Sequence, residues 1–434
     1  MEWVTIPVMT TAPSILRKSF FLRELTTDGR LLFFTRMARM FAYGFMSVVL
    51  VLYLAKVGLN EPQIGLLLTL TLVGDTAISL FLTTRADRIG RRRMLLVGAG
   101  LMVFAGAFFA VTKNYIWLVV TATIGVISPS GNEVGPFLSI EQAALAQLLP
   151  NTRRTQVFAW YNLAGSFSTA LGALSGGILA QALRGAGFSP LDSYRAVVMG
   201  YAGIGFVLII LFTRLSNQVE VPPAQSFSTR AKLSRLGLTR SGKAVLKLSV
   251  LFSLDAFAGG FVIQSIVAYW FYVRFGVEPA MLGAIFFGAN ILAGISALSA
   301  AWIARRIGLI NTMVFSHLPS NILLILVPLM PSLGLAIAFL LLRFSISQMD
   351  VPIRQSYTMA VVDPEERSAA AGITGVARTL GASLAPVFSV ILLGSSTLIG
   401  LPFIISGGLK IIYDVGLYWN FRSLKPPEEA EREA

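Results

Sequence analysis

Twelve charged side chains lie more than two residues in from the ends of long apolar stretches of this sequence: the bases Arg36, Arg39, Arg343, Arg354, Arg378 and Lys410, and the acids Asp75, Glu133, Glu141, Asp255, Asp350 and Asp414. If those stretches cross a bilayer, a charge at the centre costs at least ~2.5 to 3.5 kcal/mol, so each needs a partner or a task. A carboxylate there can take up and release a proton, and a guanidinium can hold that carboxylate or the anionic group of a solute. Spacing narrows the choices. Arg36, Arg39 and Tyr43 fall on one helical face, and Glu133, Phe137 and Glu141 on another that Pro136 would bend. Asp350 and Arg354 are one turn apart and can neutralise each other; Lys410 and Asp414 read as a local pair for the same reason. Arg36, near the end of its stretch, is expected to snorkel to the interface.

The same inventory argues against an enzyme. There is no Cys and one His, His317, so no metal cluster, cofactor or nucleophile with an orienting base is expected. His317 itself reads as a packed, hydrogen-bonded side chain.

The elements that must position these charges are membrane helices. Of 434 residues, 55% are hydrophobic and 13% charged, against roughly 25% charged in a soluble domain. Apolar stretches of about the ~20 residues a bilayer requires run at 31–56, 63–84, 94–112, 115–149, 155–183 and 196–213. Six more follow at 245–272, 281–303, 309–329, 332–362, 368–394 and 397–421, after the one long polar connection, 214–244. The expected architecture is an all-α integral membrane protein with twelve transmembrane helices. An N-terminal segment (1–30) precedes a six-helix bundle (31–213), a linker (214–244), a second six-helix bundle (245–421) and a tail (422–434). The net charge of +14 sits outside the spans, where the bases outnumber the acids. Most of those Lys and Arg lie in the N-terminal segment, the loop after span two, the linker and the tail, so the termini and linker are expected in the cytoplasm and nucleic acid is not a partner. Residues 13–25, with Arg17, Lys18 and Arg23, suit an amphipathic segment resting on lipid headgroups.

The halves repeat. Ala86-Asp87-Arg88-Ile89-Gly90-Arg91 after span two matches Ala304-Arg305-Arg306-Ile307-Gly308-Leu309 after span eight at four of six positions, 218 residues apart. Gly58 and Gly65 recur as Gly276 and Gly283 at that offset. Gly44, Phe45 and Tyr53 recur as Gly260, Phe261 and Tyr269 at 216, and Gln142 and Arg154 as Gln355 and Arg367 at 213.

The stretch Thr83-Thr84-Arg85-Ala86-Asp87-Arg88-Ile89-Gly90-Arg91-Arg92-Arg93 resembles the G-x-L-A-D-R-x-G-R-R signature of the major facilitator superfamily. The resemblance implies two pseudo-symmetric six-helix bundles rocking about a midplane site, in a monomer of the plasma (inner) membrane. It implies a conformational latch in which Asp87 is the acid, Gly90 and Arg91 shape the turn, and Arg367 or the helix start beside it is the partner. It also implies that spans one, four, seven and ten line the cavity. Under the repeat, Arg39 maps onto Asp255 and Glu141 onto Arg354, opposite charges at related positions, so these four would face one another around the transport path. Arg39, Tyr43, Glu133, Glu141, Asp255, Asp350 and Arg354 are therefore the candidate substrate-binding or coupling residues; permanent bridges between the halves are the other use for such charges. Gly172-Ala173-Leu174-Ser175-Gly176-Gly177 resembles the G-P-x-x-G-G motif of antiporters with Ala173 in place of Pro, although such glycines also serve close helix packing. The expected function is secondary active transport of a small organic solute, proton-coupled and leaning to efflux. Proton-coupled uptake of an organic anion is the alternative, and a non-transporting receptor is the alternative of another class.

Overall fold

The computed structural model describes residues 25–149, 154–221, 241–363 and 366–422. Residues 13–24 of the amphipathic segment, most of the linker and the tail after 422 lie outside them. Among the described residues the long elements are all helices, eight in each half. The first half runs α1 (Thr27–Ser47), α2 (Leu50–Val57), α3 (Glu61–Ile89), α4 (Arg91–Val111), α5 (Tyr115–Ile124), α6 (Phe137–Leu148), α7 (Arg154–Gly185) and α8 (Pro190–Thr213). The second runs α9 (Gly242–Gly260), α10 (Gln264–Phe275), α11 (Pro279–Ile307), α12 (Leu309–Leu326), α13 (Leu333–Phe344), α14 (Asp350–Val361), α15 (Arg367–Leu393) and α16 (Leu401–Phe421).

The order of elements is the same in both halves, and so are the local signals that set it. α3 and α11 each have 29 residues with a proline in the first turn, where its missing N–H is harmless. Gly58 and Gly276 stop α2 and α10 with φ of +106° and +65°, and Gly90 and Gly308 turn the chain after α3 and α11 with φ of +118° and +86°. These are conformations that favour glycine, which is why the glycines recur at one offset.

Spans one, four, seven and ten are expected as continuous helices; each is broken. α1 and α2 meet at 46°. Span four stops at Ile124, runs irregularly through Ser128-Pro129-Ser130-Gly131 and Gly135-Pro136, and resumes at Phe137. Span seven breaks between Gly260 and Gln264, and span ten between Phe344 and Asp350. Among the described residues, nine helical segments are long and apolar enough to cross a membrane, and the bent α1–α2 pair makes a tenth. The broken stretches 115–148 and 333–361 each contain one shorter apolar helix, Tyr115–Ile124 and Leu333–Phe344, so ten of the expected twelve spans are of membrane length. Irregular backbone at membrane depth survives only where protein satisfies its polar groups. In span four the Tyr201 hydroxyl donates to the Val126 carbonyl, Tyr43 to that of Val134 (3.1 Å) and Ser128 to that of Asn132 (2.7 Å).

Glycine seams bring the helices of each half together. A methyl group at Gly44 of α1 would sit 2.1 Å from the Thr169 carbonyl oxygen of α7, and one at Gly260 of α9 would sit 2.4 Å from that of Ala382 in α15. Gly172 and Gly176 meet the Phe41 and Phe45 carbonyls in the same way, at 2.0 and 2.2 Å. The antiporter-like glycines thus act as a packing surface for α1.

The hydrogen bonds between the halves gather at one end, the one with the turns at Gly58, Gly187 and Gly276. There Gln264 donates to Ser47 (2.7 Å), the Ser265 amide to the Pro129 carbonyl (3.1 Å), the Val387 amide to Thr69 (3.2 Å) and Gln181 to Glu278. Toward the end with the termini, exposure spreads round both partner helices. α15 exposes only Leu384 and Phe388 between 381 and 390, but Ala371, Gly372, Gly375, Val376 and Leu380 before them. α3 is largely buried through Asp75 and largely exposed from Arg85. The halves are closed at the end remote from the termini and splayed at the end that carries them.

Candidate functional site

The break in span four allows the first cluster to form. Glu133 lies in the irregular segment, not on a helix face with Glu141, and the loop swings its carboxylate over α1. Its Oε2 accepts from Arg36 Nη1 at 2.7 Å and its Oε1 from Arg39 Nε at 2.8 Å. Arg39 then forks onto Glu141, Nη1 to Oε1 at 2.8 Å and Nη2 to Oε2 at 2.9 Å, both side chains having no exposed surface. Thr35 (2.8 Å) and Tyr161 also donate to Glu141. Arg36 does not snorkel: it is buried, its Nε donates to the Tyr161 carbonyl at 3.0 Å and its guanidinium stacks on the Tyr161 ring at 4.4 Å. Tyr43, on the same face of α1, holds the loop through Val134 and leaves the charges to its neighbours.

The second cluster is the counterpart of the first with its polarity reversed. Asp255 of α9 accepts from Arg354 of α14 at 3.1 Å, and Arg354 Nη1 also reaches Asp350 at 2.9 Å, the one-turn pairing expected from spacing. Arg39 and Glu141 bridge inside the first half; their repeat positions Asp255 and Arg354 bridge inside the second. The four do not face one another between the halves, and the opposite charges at related positions are two versions of one intrahalf bridge.

Lys410 and Asp414 do not pair. Lys410 donates to Asp255 at 2.5 Å, while Asp414 takes His317 Nδ1 at 2.8 Å and Asn321 Nδ2 at 2.9 Å. Asp255 also has Arg378 and His317 at 4.0 and 3.9 Å, so a single carboxylate draws four basic groups together, and the one-turn rule yields to it. His317 is buried and hydrogen-bonded as expected, and it links the two aspartates.

Two arginines of this half have unmet donors. Arg343 Nε and Arg378 Nη1 are buried without a hydrogen-bond partner. Arg343 shares a helical face with the buried Ala336 and Leu340, and Arg378 with the buried Thr374, Gly381 and Ala385. Arg378 is nonetheless a third exposed, and that face looks away from the lipid side of Val376, Leu380 and Leu384, so its exposure opens toward the interior. Both arginines are visible in the sequence as charges inside spans, but no helical spacing pairs them with an acid. Asp75 of α3 is the reverse case in the first half. Its Oδ1 accepts from the Gly135 amide at 2.6 Å and faces Ser79 at 3.5 Å, with no salt bridge among the described residues.

Asp87, Gly90, Arg91 and Arg367 lie at the splayed end. Asp87 binds Arg91 of its own loop at 2.9 Å, and Arg367 donates to the Met359 carbonyl at 2.8 Å, so among the described residues these two do not meet; residues 364–365 lie outside them. Glu220, at the start of the linker, supplies the local anion instead, accepting the Arg91 and Arg92 amides at 2.7 and 3.1 Å at the start of α4.

The profile of the Major Facilitator Superfamily matches residues 32–386. Over 431 residues the chain is 32% identical to the uncharacterized membrane protein YJR124C of Saccharomyces cerevisiae, a match covering 93% of this chain and 95% of that protein. It is 24% identical over 220 residues to the quinolone resistance protein NorA of Staphylococcus aureus strain MRSA252, covering 49% and 52% of the two chains. Among solved structures, a D-xylose-proton symporter superposes with a TM-score of 0.71 at 16% identity, covering 90% of this chain and 97% of that one. The nucleoside transporter NupG gives 0.70 at 13% identity, covering 92% and 100%. With its multi-pass helical halves and a profile match over most of its length, the chain belongs to the major facilitator superfamily and is a membrane transporter, not an enzyme.

Proposed function

We propose that the protein is a proton-coupled secondary transporter that exports a small organic anion by alternating access. The observation that carries the choice of an anion is the pair of unmet guanidinium donors at Arg343 and Arg378. At membrane depth the second half holds Arg343, Arg354, Arg378 and Lys410 against Asp255, Asp350 and Asp414, one cation more than its carboxylates neutralise. A carboxylate or phosphate on the solute supplies both the charge and the acceptors that Arg343 and Arg378 lack. Arg39, Tyr43, Glu133, Glu141, Asp255, Asp350 and Arg354 act in this reading as the scaffold that fixes the cavity wall. Export is favoured by similarity to a protein named for quinolone resistance. The basic loops put both termini in the cytoplasm, so the splayed end faces inward. The protein acts as a monomer in the plasma membrane.

Thermal stabilisation of the purified protein by matched solutes tests the substrate class. One apolar skeleton is offered as its carboxylate, its amide and its amine; at a hundredfold excess over Kd a ligand adds about 2.7 kcal/mol of apparent stability. Stabilisation by the carboxylate alone, lost in Arg343→Gln and Arg378→Gln, is the expected result. Equal stabilisation by the amide overturns the anion reading. Flux of the stabilising solute in proteoliposomes, with and without a pH gradient, then tests coupling and separates a carrier from a receptor.

A further inference from the structure

The charges at membrane depth in the first half leave one carboxylate over. Arg36 and Arg39 are taken up by Glu133 and Glu141, and Asp75 stands outside that set. It lies at the middle of the 29-residue α3, buried, and its ligand is a backbone amide in the broken segment of span four. We propose that Asp75 is the group that takes up and releases the coupling proton, and that its protonation state sets the grip of the broken segment on the opposite half. This rests on the proton-coupled reading above and names the residue that performs it.

The geometry gives the proton a mechanical readout. As a carboxylate, Asp75 accepts a charge-assisted hydrogen bond from Gly135, whose φ of +79° places its amide toward α3. On the strand of backbone just before it, Val134 is held by Tyr43, Glu133 by Arg36 and Arg39, and Pro129 accepts both the amide and the hydroxyl of Ser265 across the closed end. Gly131, in the same segment, lies against Ser47 and Gln264, the other staple of that end. When Asp75 takes a proton from a hydronium ion by way of Ser79, the hydronium O–H bond breaks as Ser79 Oγ gains that proton, the Ser79 O–H bond breaks as its own proton passes to Asp75, and one O–H bond forms on the carboxyl group; a neutral acid, an unchanged serine and water remain. Its hold on Gly135 then falls from a charge-assisted to a neutral hydrogen bond, roughly half as strong. The segment that fastens the two halves is loosened at its root.

The titratable groups close enough to act on Asp75 are Glu133 in the broken segment, Tyr43 on α1 and Tyr201 on α8. Glu133 is occupied by two arginines, and the two tyrosine hydroxyls donate to backbone carbonyls of the segment. On α15, which packs against α3, the basic residue Arg378 is directed at Asp255. Among these groups only Asp75 has its charge left to be cancelled by a proton.

The test needs no substrate. The chain has no native cysteine, so Lys56→Cys and Val273→Cys, exposed residues on opposite halves at the closed end, take spin labels uniquely. The distance between them is measured from about pH 8 to about pH 5, a range that brackets physiological titrations. In the otherwise unmodified protein the long-distance population is expected to grow as pH falls. Asp75→Asn is expected to show that population at every pH, and Asp75→Glu to keep the response with a displaced midpoint. If Asp75→Asn follows pH as the unmodified protein does, the assignment to Asp75 is overturned while proton coupling stands. If the unmodified protein ignores pH, proton coupling itself fails. Should Asp75→Asn not fold, the Glu variant decides: an undisplaced midpoint overturns the assignment.

Discussion

The Arg39–Glu141 bridge permits a quantitative test of whether these charges are scaffold or coupling groups. Glu141→Met removes an acceptor of four hydrogen bonds and leaves two buried guanidiniums sharing Glu133. Breaking a buried pair by removing one partner costs ~3 to 5 kcal/mol. Arg39→Met leaves Glu141 charged with only Thr35 and Tyr161 as donors and is expected to cost a similar amount. If the two acted independently the double variant would lose ~6 to 10 kcal/mol. The structure says otherwise. Removing both charges leaves Arg36 with Glu133, and Thr35 retains the Leu32 carbonyl at 3.0 Å, so only the Tyr161 hydroxyl loses its acceptor, at ~1 to 3 kcal/mol. The double variant should therefore be more stable than either single one, with a coupling near ~5 kcal/mol. Reversible unfolding in mixed detergent micelles, followed by the fluorescence of the six tryptophans, gives all four corners of the cycle. A double variant as unstable as the sum refutes the scaffold reading, and a Glu141→Met protein of full stability refutes it more directly.

Lys410 and Asp255 should show strong coupling in the same kind of cycle, and Lys410 and Asp414, which are joined only through Asp255 and His317, a weaker one. Gly177→Leu should part the closed end, because even a methyl there sits 2.2 Å from the Pro279 carbonyl oxygen of the other half. Overpacking costs ~1 to 3 kcal/mol, so a disulfide between Ser47→Cys and Gln264→Cys should form about tenfold less in that background. Glu220→Ala removes the anion that caps α4 and should lower stability by about 0.5 to 2 kcal/mol, read as a modest fall in Tm.

The periodic and the local were legible in the sequence; the pairings were not. Apolar runs marked the spans, and the repeat of Gly58 with Gly276 and of Gly90 with Gly308 anticipated four positive-φ turns, because such backbone tolerates few other residues. Asp350 and Arg354 were legible because both sit on one helix. Glu133 was misread for the opposite reason. Helical spacing placed it beside Glu141 on one face, but no helix runs there, and the loop carries it to two arginines 94 and 97 residues away. Pro129, Gly131, Gly135 and Pro136 hold the signal for that break, of which the helical reading uses only Pro136, as a bend. Lys410 failed for an energetic reason: a one-turn pair is worth tenths of a kcal/mol, and a fully buried Asp255 outbids it.

The reversed bridges bear on how the halves move. If Arg39 had paired with Asp255 and Glu141 with Arg354 between the halves, every cycle of rocking would separate buried ions, at ~3 to 5 kcal/mol for each broken pair. Because Arg39 closes on Glu141 and Asp255 on Arg354, each half carries its own neutralised bridge through the motion as part of a rigid body. The duplication could then exchange acid for base at both positions of one half without disturbing the other, which is the pattern at offsets 216 and 213. What remains outside the bridges is unequal: Asp75 in the first half, Arg343 and Arg378 in the second. A proton answers the first and an anion the second, so the groups free to meet a ligand are those that the intrahalf pairing leaves over. Exchanging Arg39 with Glu should accordingly be tolerated only together with Glu141→Arg, and not with Asp255→Arg; rescue by the Asp255 change instead would place the bridge between the halves and end this account.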